Sequence, residues 1–393
     1  MSVISEKSSS TATTIVVVGG GVAGAEVVRG LSSRLNPEKY RLVLVTARPY
    51  YTFLPASLRL LANSDSSLST VFMSFDQIFG RFPGDLKIGT VAYIEENRDA
   101  LYSRGGFVIL ESGERLGYDV LVVSTGSTWS GHLAFPNDES GCKQHVESWR
   151  NKIKTAKDIV IAGGGAVGIE MSGEIKDAYP TKNVTIVQAN RLLLSDIYPD
   201  KFRVDIENRL RRSGINILFN DTIEGVPNPA APLKTSNGIP LPCDLLIPAR
   251  GGQPNTSLLK YLRPFVLTDR GFVKVSTTLQ LEQHPNIFAL GDIIDWPEAK
   301  QLTKISIGHA PVVVANVMSY LDGKVPKKVY TKSAEIMSVS NGKTGGASYL
   351  GLQWGITFGD YFTKYFKSSD LMVAQARKGI GLKDAKGPYE VRK

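Results

Sequence analysis

The sequence predicts an α/β chain in which one parallel-sheet unit is inserted into another, with a small α+β segment behind them. Three observations lead there. The glycine signature Gly19-Gly20-Gly21-Val22-Ala23-Gly24 returns as Gly163-Gly164-Gly165-Ala166-Val167-Gly168. A short β-branched run precedes each copy, at residues 14–18 and 158–162, and apolar residues at helical spacing follow each. A further buried-strand pattern at residues 286–290 ends in Gly291-Asp292 only after the second unit has closed, so it is expected to rejoin the first sheet.

One such signature is weak, because glycine makes up 38 of 393 residues and loops collect it. The strand before it and the helix after it give each copy its meaning. The first Gly permits the tight turn, the second lets the backbone approach a pyrophosphate, and the third lets the helix pack on the strand. The helix N-terminus adds free N–H groups and a partial positive charge. Two Rossmann-like dinucleotide-binding domains are therefore expected, and hydride transfer between two bound dinucleotides is the simplest use of the pair.

Taken in order, the first unit runs through its cradle helix to a strand at residues 41–45. A long insertion follows before the strand at 120–123, which ends in Ser124-Thr125-Gly126. The second unit has further strands at 184–187, 215–218 and 245–247, and a helical pattern at 310–321 follows the acidic strand tip. Val325-Pro326-Lys327-Lys328 marks a boundary. Beyond it, residues 336–339 and 347–350 read as strands around the Gly-rich turn 341–346. Trp354, Ile356, Phe358, Tyr361, Phe362, Tyr365 and Phe366 then follow at helix-compatible spacing beside Lys364 and Lys367. The expected division is 1–126 with 268–325, then 127–267, then 326–393.

Composition narrows the function. An apolar fraction of 42% and a charged fraction of 21% are those of a soluble globular protein, and no apolar run is long enough for a spanning helix. Residues 1–12 lack a secretory core and any Arg, and Ser2 stands where myristoylation requires Gly. Cys142 and Cys243 are the only cysteines and are far apart, so a redox dithiol, a thiolate metal site and a disulfide framework have no support. The four His show no metal-ligand spacing, and no metal is expected. Of the +9 net charge, residues 331–393 hold ten basic against five acidic side chains. That excess suits an anionic membrane surface or a charged ligand, and equally a solvated tail. Charge alone, without a motif, does not argue for nucleic acid.

Both Gly signatures, the run LVVSTGST at residues 121–128, IFALGD at 287–292, His309-Ala310 and the C-terminal YFKSSDL at 365–371 resemble the two-dinucleotide-binding flavoprotein superfamily. Within it the chain is most similar to the apoptosis-inducing-factor-like group that includes ferroptosis suppressor proteins and, more distantly, type II NADH dehydrogenases. The resemblance implies FAD on the first signature, NADH or NADPH on the second, an NAD(P)H domain inserted in the FAD domain, and a quinone as electron acceptor. It places Gly19, Gly20, Gly21, Val22, Ala23 and Gly24 at the FAD pyrophosphate, with Arg59 at the flavin nucleotide and Thr90 or Val91 at the adenine end. Thr125, Gly126, Gly291 and Asp292 join that site, and Arg48 stands just past the second strand. His309 and Ala310 are expected to open a helix whose N-terminus faces the flavin. Gly163, Gly165 and Gly168 would hold NAD(P)H, with Glu170 orienting the nicotinamide. Lys300 or Lys304 would stabilise the reduced flavin, and Trp354, Phe358, Phe362 and Phe366 would line the quinone entry.

Two departures bear on the coenzyme. The acidic residue that usually ends the second strand and binds a ribose is Thr46 in the first unit and Gln188 in the second. Loss of the carboxylate at Gln188, with Arg191 nearby, removes repulsion against a 2′-phosphate, so NADPH should be tolerated. The expected protein is a cytoplasmic, peripherally membrane-associated NAD(P)H:quinone oxidoreductase, at a lipid droplet or the mitochondrial outer surface, with a homodimer left open. A ferredoxin- or rubredoxin-type reductase and an NAD(H)-sensing signalling flavoprotein stand as alternatives.

Overall fold

Strand Thr13–Val18 lies inside a six-stranded sheet whose order is Gln280–Leu281, His284–Ala289, Val120–Val123, Thr13–Val18, Tyr40–Thr46 and Asp85–Ile88. The computed structural model describes residues 12–97, 105–223, 233–352 and 355–382. Ile15 is in register with both Val120 and Leu42, and Ile287 with Leu121, all parallel. Ile15, Val16 and Val17 are wholly buried, which is why the run carries no polar alternation. The strand His284–Ala289 thus joins the first sheet after an excursion of more than a hundred residues.

That excursion builds a second parallel sheet of order Ile215–Phe219, Asn183–Gln188, Asp158–Ala162 and Leu245–Pro248. The chain leaves and returns side by side: Ser127–Thr128 pairs antiparallel with Gln253–Pro254. The insertion after residue 90 is a three-stranded antiparallel sheet, Val91–Glu96, Gly106–Leu110 and Arg115–Tyr118.

The C-terminal segment is a hairpin, Ile336–Asn341 with Gly345–Leu350, extended by a third strand Ile356–Phe358. The aromatic run therefore does not begin as a helix, contrary to its spacing. Helix starts only at Asp360, where Asp360 Oδ1 accepts from the Gly346 N–H at 2.8 Å and fixes that helix on the hairpin. Helix Ala166–Ala178 packs between the short helix Ser57–Ala62 and the hairpin strand Ile336–Asn341, so it touches all three parts of the chain. Apart from a small cluster around Val160 and Val187, the buried apolar side chains form one contiguous core.

Candidate active site

The two glycine cradles are near copies in space. Gly19 and Gly163 take φ of +111° and +124°, a region glycine alone enters freely. A Cβ on Gly24 would lie 1.8 Å from the Gly19 carbonyl oxygen, and one on Gly168 would lie 2.0 Å from that of Gly163. Only glycine lets each helix sit this close to its turn. A Cβ on Gly21 or Gly165, by contrast, meets nothing within 4 Å. Each of these residues precedes a helix, Val22–Ser32 or Ala166–Ala178, that has no side-chain N-cap and no acidic residue in its first turn. Two helix N-termini with open N–H groups and no competing carboxylate fit phosphate groups.

Around the first cradle the chain assembles further polar groups. A Cβ on Gly291 would stand 3.1 Å from Ala23 Cβ, so the strand tip lies against the start of the cradle helix. Next to it, Asp292 Oδ2 accepts from the Ser127 hydroxyl at 3.1 Å. Gly126, at φ +66°, faces open space, while Thr125 Oγ1 donates to the Asn255 carbonyl at 2.5 Å. Thr46 is buried under Gly20, and Gly89 N donates to its carbonyl, which sets Thr90 and Val91 at the same edge of the sheet. The Arg48 guanidinium reaches away to the Phe135 and Pro136 carbonyls at 2.7 and 3.2 Å.

A cleft of about 590 Å³ opens at the second cradle. Gly165 and Ala166 form its base, Leu194 to Tyr198 one wall, Glu298 to Lys300 the opposite wall, and Met337 of the hairpin a third. Lys300 Nζ is anchored on the Ile294 carbonyl at 2.6 Å, and burial pulls its pKa down. The wall Leu194 to Tyr198 is fixed by Arg203, buried, whose guanidinium donates to the carbonyls of Leu192, Leu193 and Leu194.

Several expected site residues are engaged elsewhere. Gln188 does not present its amide to a ribose: Oε1 accepts from Gly164 N at 2.9 Å and Nε2 donates to the Leu192 carbonyl at 3.1 Å, so it braces the glycine turn. Arg191 lies on the surface, paired with Asp200 at 2.6 Å. Arg59 forms a buried bidentate pair with Glu174, both contacts 2.8 Å, and donates to the Ser368 and Ser369 carbonyls; it joins units rather than offering a free guanidinium to a nucleotide. Glu170 turns to the hairpin, accepting from Ser340 N at 3.0 Å and Lys367 Nζ at 2.5 Å, and is not among the cleft-lining residues. Lys304 is 1% exposed and pairs with Glu335 at 2.6 Å and Glu298 at 3.4 Å.

Helix position is also corrected. The helix does not open at His309-Ala310: helical backbone begins at Leu302 and runs through a π-turn, Ile305–His309, into Ala310–Leu321. Ala310 and His309 are buried two turns inside, with His309 Nε2 3.1 Å from Glu298 Oε1 and Nδ1 3.4 Å from Gly291 N. Pro311 suggests a helix start from sequence, yet a helix interior tolerates it here because the π-turn already breaks the i to i−4 ladder. The true N-terminus is Gln301 to Lys304, where the buried Thr303 hydroxyl has no hydrogen-bond partner among the described residues. Sequence reading missed Gln301, Thr303, Glu298, Tyr198 and Met337, which no motif marks. Phe358, Phe362 and Phe366 line neither this cleft nor a second cavity beside Arg59 but form a surface ladder, with Phe362 4.1 Å from Phe358 and 4.3 Å from Phe366 between ring centroids. Trp354 lies outside the described residues.

Two phosphate cradles on two mainly parallel sheets, with an acidic strand tip at one and a cleft that holds Lys300 beside Asp196 and Glu298 at the other, define the class: an oxidoreductase fold with paired dinucleotide sites. The chain belongs to the pyridine nucleotide-disulphide oxidoreductase family, whose model matches residues 13–315. It is 42% identical over 323 residues to the FAD-dependent oxidoreductase FVFD30 of Flammulina velutipes, covering 82% of this chain and 99% of that one. It is 28% identical to ferroptosis suppressor protein 1 of Taeniopygia guttata, covering 86% and 89%. The sulfide:quinone oxidoreductase of Aquifex aeolicus has the same fold, with a TM-score of 0.74 at 16% identity over 94% and 92% of the two chains. The protein is accordingly an FAD-dependent oxidoreductase that uses NADH or NADPH. Cys142 and Cys243 are free, and Cys142 is buried, accepting from the Tyr50 hydroxyl at 3.0 Å, with burial pushing its thiol pKa up.

Proposed function

We propose that the chain is an NAD(P)H:quinone oxidoreductase acting at a lipid surface. FAD is held on residues 19–24 by the unit 1–126 with 268–325, NAD(P)H on residues 163–168 by the unit 127–267, and residues 326–393 form the face turned to the acceptor. FAD held there would supply the two-electron redox chemistry between coenzyme and acceptor. The chain's own residues bind and orient. The cradle N–H groups take the two pyrophosphates, and Asp292 offers a carboxylate to hydroxyls. The N–H groups of Leu302, Thr303 and Lys304, with the Thr303 hydroxyl, place partial positive charge at the start of their helix without reorganisation. Lys300 adds a full positive charge at the cleft wall.

The observation that supports a lipid-borne acceptor is the aromatic ladder. Tyr361 and Tyr365 are 94% and 82% exposed, and Phe366, Leu352 and Ile356 stand exposed with them. Soluble proteins seldom leave such a patch uncovered, and aromatic rings interleaved with Lys364 suit a membrane interface. Among the described residues no helix is long and apolar enough to cross a membrane, so the contact would be peripheral.

The test uses vesicles containing anionic lipid and a long-chain ubiquinone. A variant carrying Tyr361→Ser, Tyr365→Ser and Phe366→Ser is expected to lose about tenfold of its quinone reduction in vesicles, while reduction of ferricyanide in solution is retained. Equal turnover by variant and parent in vesicles would remove the lipid surface from the proposal. Dye reduction by the parent with no quinone reduction would shift the acceptor to a protein.

A further inference from the structure

One side chain ties together the three walls of the cleft. Gln301 follows directly after the wall Glu298 to Lys300. Its Nε2 donates to the Tyr198 hydroxyl at 2.6 Å, and Tyr198 ends the opposite wall. The same Nε2 donates to Glu335 Oε2 at 3.1 Å, and Gln301 Oε1 accepts from Ile336 N at 3.3 Å, immediately before Met337 of the third wall. Each wall belongs to a different part of the chain, and Gln301, from beside one wall, is hydrogen-bonded toward both of the others.

The anchorage of the strut is rigid. Tyr198 is 3% exposed, and its ring meets Phe202 and Tyr349 edge-on. Glu335 is clamped by Lys304, which also reaches Glu298; Glu298 in turn accepts from Tyr330 at 2.7 Å. A buried set of two carboxylates and one ammonium tolerates little displacement, since moving one member leaves another charge uncompensated. A cleft whose width is set this way is preorganised, and a ligand entering it need not order the walls.

We infer that Gln301 is a positioning residue that sets the width of the coenzyme cleft and thereby the affinity for the nicotinamide coenzyme. This rests on the reading that NAD(P)H occupies the second cradle. Gln301 touches walls rather than reacting atoms, so its removal should loosen binding more than it slows hydride transfer.

The test takes purified holoprotein with Gln301→Ala, Tyr198→Phe, the double variant, and Gly165→Ala as a control for the cradle itself. Dissociation constants for NAD+ and NADP+ are measured by calorimetry, with KM and kcat for a soluble dye, flavin content and melting temperature alongside. Gln301→Ala and Tyr198→Phe should each raise the dissociation constant and KM about three- to tenfold, the range of one lost hydrogen bond, with kcat and flavin content nearly unchanged. Because both remove the same strut, the double variant should bind no more weakly than Gln301→Ala. Wild-type affinity in Gln301→Ala, or additive losses in the double variant, would overturn the inference provided Gly165→Ala weakens binding. Tyr198→Phe keeps the ring packing, so it decides the matter should Gln301→Ala fold poorly. No effect of Gly165→Ala would instead remove the underlying assignment of the cleft.

Discussion

At the scale of single residues, the glycines of one signature do opposite work. Gly165 and Gly168 have different tasks in the signature, and a Cβ at Gly165 points into open space while one at Gly168 would collide with the Gly163 carbonyl. Gly165→Ala should therefore fold normally, keep its FAD and bind NAD(P)H at least about tenfold more weakly, because the methyl occupies phosphate space. Gly168→Ala should lose about 1–3 kcal/mol of folding stability or more, the usual result of overpacking. Chemical denaturation beside coenzyme titration separates the two. The cradles were legible because their geometry is local: turn, strand and helix are contiguous in the chain. The roles of Gln188, Glu170 and Arg59 were not. The glutamine is occupied by a turn that closes only in the fold, and the other two find partners 115 or more positions away.

At the scale of elements, the helical stretch from Leu302 to Leu321 and the small sheet from residue 91 to 118 show what periodicity misses. The apolar pattern marks the stretch from Ala310 onward because that part is buried, with Val313 and Val317 fully inside. The first two turns carry Lys304 and His309, which were expected at the flavin and are instead buried against Glu298 and Glu335. The small sheet is clipped to the main sheet by His284, 3% exposed, whose Nδ1 lies 2.6 Å from Glu96 Oε1. The hydrogen bond to Glu96 raises the His284 pKa, against an opposing pull from burial. A raised folded pKa means that this clip stabilises fully below the unfolded value of about 6.5 and ceases to do so as pH climbs through the folded value. Wild-type melting temperature should thus fall from slightly acid to slightly alkaline pH, and His284→Gln should flatten that part of the profile. An unchanged slope in the variant would place the pH dependence elsewhere.

At the scale of the whole molecule, the three parts of the chain are locked by two polar joints, Arg59 with Glu174 and Ser368, and Gln301 with Tyr198 and Glu335. Both joints bring together the first sheet's unit, the inserted unit and the C-terminal segment. This rigidity suits a protein that must hold two dinucleotides in one fixed relation, since hydride transfer demands close alignment. The nesting of one sheet in the other was legible from the late strand before Asp292, because a buried apolar strand needs a sheet to join. The joints were not, since each depends on side chains from three distant segments. Phe358, Phe362 and Phe366 were read as a cavity lining and form a surface ladder, because aromatic spacing alone does not say whether a partner covers it.

The central claim is that electrons pass between a nicotinamide coenzyme on one cradle and FAD on the other, and on to a quinone. Its most direct test is the visible absorption of the purified holoprotein, recorded anaerobically during titration with NADH or NADPH and then with a short-chain ubiquinone analogue. Stoichiometric bleaching of the flavin by the coenzyme and full recovery on quinone addition are expected. A purified protein without flavin, or a flavin that neither coenzyme bleaches, would contradict it.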